Sequence, residues 1–387
     1  MKKGLSRRNL FKFMAVGGTT AVAAGCEQKP EKIIPALVPP VDFEYMPNTG
    51  YQYMTTCREC DAACGMMITA REYRAQKAEG NPNHPHNQGA LCARGQASLQ
   101  TLYNPERHAR PTSGGNNVSW EDAQSEFVNL VQQSAGQIVY LGRPAVGSEG
   151  NFIDNWLNEV GGGKRIAFNL ISRASEQRAC EIAFGRSDLP DYAFENAELL
   201  VNFGADFIET WGNTVQNARR FADMHAYNDG KKNRYVHVGP HQSLSGARAD
   251  EWLSANPGTE AMIALAMAHA IHQRDPRHDF LSDYLSPYSP ELVAGETGIS
   301  AEKIQTLAEE FHQASSLAVA GGTWNSSEQA TATQVAVFIL NAAAGNLGKT
   351  LRFHESEQPS EDTSHSQILQ LLSDLNAGKV KLLVAEC

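Results

Sequence analysis

The apolar residues of this chain fall into short runs that alternate with segments of helical periodicity. Such runs are typical of strands buried on both faces, and an apolar stripe is typical of helices that cover a sheet. The pattern predicts strands at residues 138–142, 165–170, 199–204, 235–239 and 317–322. It predicts helices at residues 152–160, 176–184, 214–227, 258–272 and 334–344. Alternation of strand and helix predicts an α/β fold with parallel sheets.

The N-terminal part of the chain follows a different pattern. Residues 66–70 and 75–79 are predicted to form a β-hairpin, and residues 80–85 form a loop of turn residues. A helix is expected to follow Cys92 and to end at Leu102. Residues 27–50 contain five prolines and no helical period, which is typical of an extended segment. We therefore expect an extended tether at 26–50, a small domain at 51–111 and an α/β region at 112–387.

Four of the cysteines have the spacing of a thiolate site. Cys57, Cys60, Cys64 and Cys92 form the pattern C-x2-C-x3-C-x27-C. Thiolates are the natural ligands of iron–sulfur clusters, and four of them complete a [4Fe-4S] site. A structural zinc site and a pair of disulfides are the alternatives. Zinc sites favour two C-x2-C pairs, and the second pair is absent here, so the sequence predicts one [4Fe-4S] cluster.

The N-terminus has the features of an export signal. Residues 6–12 read SRRNLFK, and a short apolar stretch with small residues follows to residue 24. The adjacent Arg7 and Arg8 fit the twin-arginine signal, which we assign to residues 1–25. This route carries folded proteins, as a chain whose cluster is inserted in the cytoplasm requires. The stretch is too short for a membrane-spanning anchor, since about 20 apolar residues are needed.

Cys26 is a candidate for lipidation. It follows Ala23, Ala24 and Gly25, which together resemble a lipobox. An acyl chain on Cys26 would tether the protein to a membrane surface without a spanning helix. The alternative is a plain export signal with an incidental cysteine. We expect the protein at the periplasmic face of the inner membrane.

Length and charge narrow the possible functions. The 387 residues suffice for two or three domains, and the apolar fraction of 42% is ordinary for a globular protein. Residues 1–25 contain five basic and no acidic residues, so their removal would change the formal net charge from -10 to -15. Because nucleic-acid binding requires a basic surface, an acidic body argues against a nucleic-acid partner.

The C-terminal segment predicts a further strand. Residues 380–385 have the pattern of a buried parallel strand, and the sequence stops at Cys387. A central strand needs neighbouring strands and helices that cover it. We therefore expect the sequence to be a fragment of a longer polypeptide, and we assign no function to Cys387.

The cysteine-containing segment resembles the N-terminal iron–sulfur domain of the molybdopterin oxidoreductase superfamily. The resemblance lies in Gly80-Asn81-Pro82 and in residues 89–95, which read GALCARG. Residues 249–253 (ADEWL), 257–261 (PGTEA) and 341–348 (NAAAGNLG) are also similar to this superfamily. The resemblance covers about residues 51–387. It implies a small iron–sulfur domain followed by parallel-sheet α/β domains.

A narrower resemblance is to the large iron–sulfur subunits of alternative complex III. Residues 189–194 (LPDYAF), 202–211 (NFGADFIETW) and 32–35 (KIIP) are similar to these subunits. They are described as molybdopterin-type folds that lack the pterin, within a membrane-bound quinol-oxidising assembly. The resemblance implies an electron-transfer subunit whose partners are an integral membrane quinol-interacting subunit, cytochrome-type subunits and the lipid surface.

The alternative is a catalytic subunit with a bis-pterin guanine dinucleotide and molybdenum, for example a reductase of a sulfur oxyanion. Catalytic relatives supply a Ser or Cys ligand from the loop after the second strand, where Ser172 stands, with Ser175 and Cys180 as rivals. The position of Ser172 before a helix favours a turn or capping role, and Cys180 fits a core position. An acidic Asp206 would repel a pyrophosphate.

Arg94 and two histidines complete the candidates. In catalytic relatives a Lys or Arg after the fourth cysteine lies between cluster and pterin, so the resemblance implies that Arg94 contacts the cofactor. A cation there would raise the cluster's reduction potential. The alternative for Arg94 is a surface salt bridge. His84 and His86 lie in a proline-containing loop, which favours a structural role over a metal site.

Overall fold

The computed structural model describes residues 49–60, 62–145, 148–169, 172–322, 328–353 and 365–386. The predicted export signal, most of the tether, Cys26 and Cys387 lie outside these residues. The chain divides into one unit of residues 1–50 and 71–73, and a second unit of residues 51–70 and 74–387. The first unit is described only at residues 49, 50 and 71–73, where Glu72 and Tyr73 have φ angles of 47° and 64°.

The elements alternate along most of the chain. The strands are β1 (Tyr51–Thr56), β2 (Gly65–Arg71), β3 (Arg74–Gly80), β4 (Thr112–Ser113), β5 (Asn116–Asn117), β6 (Ile138–Gly142), β7 (Gly163–Ala167), β8 (Asp191–Tyr192), β9 (Leu199–Phe203), β10 (Arg234–Val238), β11 (Glu251–Leu253), β12 (Ser316–Ala320), β13 (Leu351–Arg352) and β14 (Leu382–Ala385). The helices are α1 (Ala93–Leu102), α2 (Trp120–Gln133), α3 (Ser148–Glu159), α4 (Ala174–Phe184), α5 (Thr214–His225), α6 (Glu260–Arg274), α7 (Leu281–Leu285), α8 (Pro290–Thr297), α9 (Ala301–Gln313), α10 (Ala330–Ala344) and α11 (His365–Asn376).

The N-terminal part of the second unit is a small antiparallel sheet in the order β1–β2–β3, followed by α1. The predicted hairpin at 66–79 and the helix that ends at Leu102 are both confirmed. Strand β1 was not predicted. Its pairing with β2 runs to Thr56 opposite Gly65, so that the loop at 57–64 leaves and rejoins the sheet at one point.

A parallel sheet in the order β11–β10–β9–β12 forms the centre of the molecule. Strands β9 and β12 are buried at every residue, because helices cover both faces and the sequence supplies continuous apolar runs. Alternate side chains enter different cores, as strand geometry requires: Val201 and Phe203 join one cluster, and Leu200 joins the other. The predicted α/β fold with parallel sheets is confirmed.

A second parallel sheet has the order β14–β6–β7. Ile138, Ile153 and Leu157 pack on one face, and Val139 and Ile166 pack on the other. The predicted C-terminal strand is parallel, but the prediction that it is buried was wrong. Its residues alternate between partly buried and exposed, because β14 pairs with β6 alone among the described strands.

Within the described ranges, no helix has both the length and the apolar character needed to cross a membrane.

Candidate iron–sulfur site

The four predicted ligand cysteines come from two loops. Cys57 and Cys64 close the loop between β1 and β2, where the backbone N–H of Cys57 donates to the carbonyl of Cys64 at 2.8 Å. Cys60 lies within that loop. Cys92 is the residue that precedes α1, and its carbonyl accepts the N–H of Gln96 at 3.0 Å. Cys57 and Cys64 belong to one buried cluster, and Cys92 packs against it.

Burial and neighbouring thiols disfavour ionisation of two of the predicted ligand cysteines. Burial raises the pKa of Cys57, and it raises the pKa of Cys64 to about 11, with a further increase from the neighbouring thiols. Both thiols are therefore protonated at neutral pH until a cationic centre displaces the protons. None of the four cysteines is in a disulfide, so the disulfide alternative is wrong for this structure.

The positions of the described side chains can be compared with the needs of a structural zinc site. In the described part of the chain, no group of three or more His, Cys, Asp or Glu side chains is arranged to hold one metal ion. Tetrahedral zinc binds thiolates at about 2.3 Å, which requires four tightly grouped sulfur atoms. The described cysteines do not show the tight grouping that a tetrahedral zinc site requires.

Three glycines allow the loops to approach one another closely. A Cβ at Gly65 would lie 2.7 Å from the ring of His84, and one at Gly80 would lie 2.5 Å from the carbonyl oxygen of Ala90. A Cβ at Gly95, in the first turn of α1, would lie 3.4 Å from the sulfur of Cys57 and closer still to Leu91. Any side chain at these positions would push the cysteine loops apart.

A buried asparagine joins the two cysteine loops. Asn87 is fully buried, and its side-chain oxygen accepts the N–H of Gly65 at 2.9 Å. Its side-chain nitrogen donates to the carbonyls of Gly65 at 3.0 Å and of Ala90 at 2.7 Å. Gly65 follows Cys64, and Ala90 precedes Cys92 by two residues. Sequence reasoning missed Asn87, because an asparagine among turn residues gives no sign of burial.

An ion-pair network links the first cysteine loop to the smaller parallel sheet. Arg58, between Cys57 and Cys60, pairs with Glu149 at 2.8 Å and with Glu386. Arg143 pairs with the same two carboxylates. These partners lie far from Arg58 in the sequence, so no local pattern could reveal the network.

A crevice lies where the winding of the central sheet reverses. Strand β10 lies on one side of β9 and β12 lies on the other, and ligands of such sheets bind at this switch point, beyond the carboxyl ends of the strands. The space there is a cavity of about 50 Å³, and its lining includes Cys60, Arg94, Ser172 and Trp211. Arg94, which is exposed, thus lies beside one of the predicted ligands.

Side chains fill most of this crevice. Trp211 is 2% exposed, and its indole N–H donates to the buried carboxylate of Glu176 at 2.7 Å. Arg173 donates to the other oxygen of Glu176 at 2.6 and 2.9 Å, and its guanidinium carbon lies 5.6 Å from the Trp211 ring centroid. Only glycine fits at position 321, because a Cβ there would lie 2.3 Å from the indole nitrogen. The network joins Trp211 to a residue 35 positions away in the sequence and was not predicted.

The crevice does not fit a pterin guanine dinucleotide in the residues described. Pockets for ligands of drug size have volumes of about 300–1,000 Å³, whereas this cavity has about 50 Å³.

The other predicted residues have structural positions. Ser172 accepts the N–H of Ala174 at 3.1 Å, which is the turn role that the sequence favoured, and Ser175 lies on α4. Cys180 is fully buried, and burial raises the pKa of its thiol to about 12, so it is a core residue. Asp206 is buried, and its carbonyl accepts the N–H groups of residues 209–211. The rings of His84 and His86 lie 5.5 Å apart in their loop.

The cysteine loops and α1 coincide with a known domain. Residues 52–104 match the model of the molybdopterin oxidoreductase Fe4S4 domain. The chain carries a molybdopterin oxidoreductase Fe4S4 domain. A [4Fe-4S] cluster is therefore the cofactor of this domain.

Curated relatives extend the similarity beyond the domain. The chain is 24% identical over 361 residues to the menaquinone reductase molybdopterin-binding-like subunit of Nitratidesulfovibrio vulgaris, which covers 89% of the chain and 52% of the relative. It is 24% identical to the arsenate respiratory reductase molybdopterin-containing subunit ArrA of a Shewanella species, over 89% of the chain and 46% of the relative. For the thiosulfate reductase molybdopterin-containing subunit PhsA of Salmonella typhimurium the identity is 22%, with 92% and 48% covered. The chain spans about half the length of these relatives.

A solved structure supports the fold alone. Acetylene hydratase from Pelobacter acetylenicus aligns with a TM-score of 0.56 and 16% identity, over 76% of the chain and 43% of that structure.

The predicted superfamily is confirmed by the matched domain and by the curated relatives.

Proposed function

We propose that Cys57, Cys60, Cys64 and Cys92 ligate the [4Fe-4S] cluster, and that the chain is an electron-transfer subunit. The observation that carries this proposal is the packing of Cys92, at the start of α1, against the buried cluster that contains Cys57 and Cys64, with Cys60 in the β1–β2 loop between these two and none of the four in a disulfide. The bound cluster supplies one-electron transfer. The chain needs no nucleophile and no general base for this role.

The surrounding residues suit an anionic centre. Cys57 and Cys64 are buried, which keeps water from half of the ligand set. The N-terminal N–H groups of α1 follow directly after Cys92, and the positive end of a helix favours negative charge. Arg94 adds a cation beside Cys60, and a nearby cation raises the potential of a cluster.

We further propose that this chain transfers electrons without molybdenum of its own. The support is the small size of the cavity at the switch point, where Trp211 and Arg173 both donate to Glu176. A second candidate function is a catalytic molybdopterin subunit. It is favoured by the shared cavity of Cys60, Arg94 and Ser172 and by relatives described as molybdopterin-containing.

The partner that we propose is a membrane-associated quinol-oxidising respiratory complex. A relative named as a menaquinone reductase subunit supports a quinone-linked partner. The quinol-oxidising direction is proposed from the resemblance to alternative complex III. The integral membrane quinol-interacting subunit of the complex would donate electrons, and cytochrome-type subunits would accept them. We propose export by the twin-arginine route and a lipid anchor on Cys26 at the periplasmic face.

The test is reduction of the cluster in native membranes. Anaerobic addition of a menaquinol analogue is expected to generate the EPR signal of a reduced cluster, and Cys92→Ser is expected to abolish it. A wild-type cluster that dithionite reduces but no quinol reduces would contradict the quinol-linked role. Stoichiometric molybdenum in the same preparation would favour the catalytic alternative.

The proposed export route and lipid anchor are tested separately. Replacing Arg7 and Arg8 together by lysine is expected to retain the protein in the cytoplasm, and Cys26→Ser is expected to release it from membranes while leaving the cluster signal intact. A Cys26→Ser protein that stays in the membrane fraction after washing with salt would overturn the proposed anchor.

A further inference from the structure

Asn87 bonds through its side chain to the backbone next to both halves of the ligand set. Its amide makes three hydrogen bonds, two of them to the N–H and carbonyl of Gly65 and one to the carbonyl of Ala90. Gly65 adjoins Cys64, and Ala90 lies two residues before Cys92. The two cysteines are joined by residues 65–91, so the position of the fourth ligand depends on contacts that close this long connection.

The loop that contains Asn87 is built around the same bonds. The backbone carbonyl of Asn87 accepts the N–H of Ala90 at 2.7 Å, and the next residue, Gln88, has a left-handed φ of 41°. Asn81 donates its N–H to the carbonyl of Gly65 and accepts the N–H of Gly89, both at 2.9 Å. The loop at 81–90 therefore reaches Gly65 through one backbone bond and through the Asn87 side chain.

Only an amide satisfies this site at the observed size. The oxygen must accept from one N–H, and the nitrogen must donate to two carbonyls. An aspartate of the same shape would place a carboxylate oxygen against two carbonyl oxygens, and it could donate to neither. Alanine would leave one buried N–H and a carbonyl without their partner, which is costly in a buried site.

We propose that Asn87 is a positioning residue for the iron–sulfur cluster, which holds the Cys92 loop at a fixed distance from the Cys57–Cys64 loop. The inference rests on the proposed ligand set. Some residues orient the metal ligands through hydrogen bonds without touching the metal. Replacing such a residue commonly lowers metal affinity by about 10- to 100-fold. Asn87 acts through the backbone beside two ligands, and in this proposal it touches neither the metal nor any substrate.

The test compares Asn87→Asp and the milder Asn87→Ser with the wild type, in the complete chain purified anaerobically. Asn104→Asp is the matched control, because Asn104 is exposed and its side chain accepts from the N–H of Glu106, which a carboxylate also does. Three quantities are measured: the rate of cluster loss to an iron chelator, the midpoint potential, and the g-values of the reduced cluster. The last two are properties of each assembled cluster and do not depend on occupancy.

Asn87→Asp is expected to lose its cluster about 10-fold faster than the wild type, and to shift both the potential and the g-values. Asn87→Ser is expected to fall between the two, and Asn104→Asp to equal the wild type. A soluble Asn87→Asp chain that has a folded α/β region (residues 112–387) but no cluster would also support the proposal. Asn87 variants with wild-type potential, g-values and rate of loss would overturn it. A wild-type chain without any cluster would instead overturn the proposed ligand set.

Discussion

The iron–sulfur domain and the central sheet are stabilised in different ways. The core around β9, β10 and β12 consists of two large apolar clusters, in which most side chains are fully buried. The buried core at the cysteine loops, among the described residues, consists of Cys57, Cys64, Met66, Ala78 and Val215, so that two of its members are proposed ligands. A domain with so small a core needs a further source of stability, and metal binding is a common one. The comparison leads us to expect that one region of the chain folds by burial of apolar side chains and that the other depends on its cofactor.

Removal of the cluster has the largest expected effect on this comparison. In the Cys92→Ser variant, we expect residues 51–104 to lose most of their protection against hydrogen exchange, because metal binding supplies folding free energy there. Residues 199–203 and 316–320 should keep their protection, since their burial does not involve the cluster. Hydrogen exchange with mass spectrometry measures both regions in one sample. Equal protection of residues 51–104 with and without the cluster would contradict the contrast between the regions.

A core substitution in the central sheet should have the converse effect. Phe203 is fully buried, so Phe203→Ala is expected to cost about 3–5 kcal/mol in the free energy of unfolding of the α/β body. Phe280→Ala is the matched control, because Phe280 is 78% exposed, and its cost should be near zero. Chemical denaturation followed by circular dichroism gives both values. The potential of the cluster should not change in either variant, and a change in Phe203→Ala would show that the regions are coupled.

Glycine-to-alanine substitutions in the two regions are expected to have smaller effects, of opposite sign. Gly80→Ala would force a Cβ against the carbonyl of Ala90, and such overpacking costs about 1–3 kcal/mol and should speed cluster loss. A methyl group added at Gly295 in α8 would have no atom within 4 Å, so Gly295→Ala should stabilise the body by about 0.5–1 kcal/mol. The Gly80→Ala variant is thus expected to lose its cluster to a chelator faster than the wild type. The Gly295→Ala variant is expected to have a larger free energy of unfolding. Loss of the cluster at the wild-type rate in Gly80→Ala would show that the close contact is not needed.

The smallest expected effect is a pH-dependent change in the stability of the α/β region, which leaves the iron–sulfur domain unaffected. Burial opposes ionisation of Asp250, but hydrogen bonds from Lys232, His225 and the N–H of Tyr235 outweigh it and lower the pKa to about 2. Because the pKa in the unfolded chain is about 3.9, the ionised carboxylate stabilises the fold fully above that pH and loses this effect as the pH falls towards 2. Asp250→Asn should therefore cost about 1 kcal/mol at pH 7, after allowance for solvent screening.

The pH series provides its own control. The unfolding free energies of the wild type and of Asp250→Asn are expected to converge as the pH falls from about 4 towards 2. A difference that persists unchanged at the acidic end would mean that packing, and not charge, explains the cost.

The predictable parts of the structure are those that depend on local pattern. The strand at residues 138–142 has the predicted bounds, and the strand predicted at 199–204 ends one residue earlier, because continuous apolar runs identify buried strands. The strand predicted at 165–170 lies instead at Gly163–Ala167, since its pairing with β6 begins opposite Ile138. Strand β1 was missed because it is mostly exposed and gains its place by pairing with β2.

The cysteine spacing predicted the iron–sulfur domain, which the matched family model confirms, whereas the ligand set stays a prediction. The spacing is informative because three of the predicted ligands lie within one short loop. The bonds of Asn87, the ion pairs of Arg58 and the contact of Trp211 with Glu176 all join segments that are distant in the sequence. Such contacts are set by the tertiary fold, and neither periodicity nor residue type reveals them.

The central claim is that four cysteines hold one four-iron cluster in a chain without its own molybdenum. The most direct measurement is a joint count of iron, molybdenum and zinc in the 387-residue chain after anaerobic purification, with EPR of the reduced sample. The account predicts about four iron atoms per chain, the signal of a single [4Fe-4S] cluster, and neither molybdenum nor zinc. One zinc per chain without iron, or molybdenum in equal amount to the chain, would contradict it.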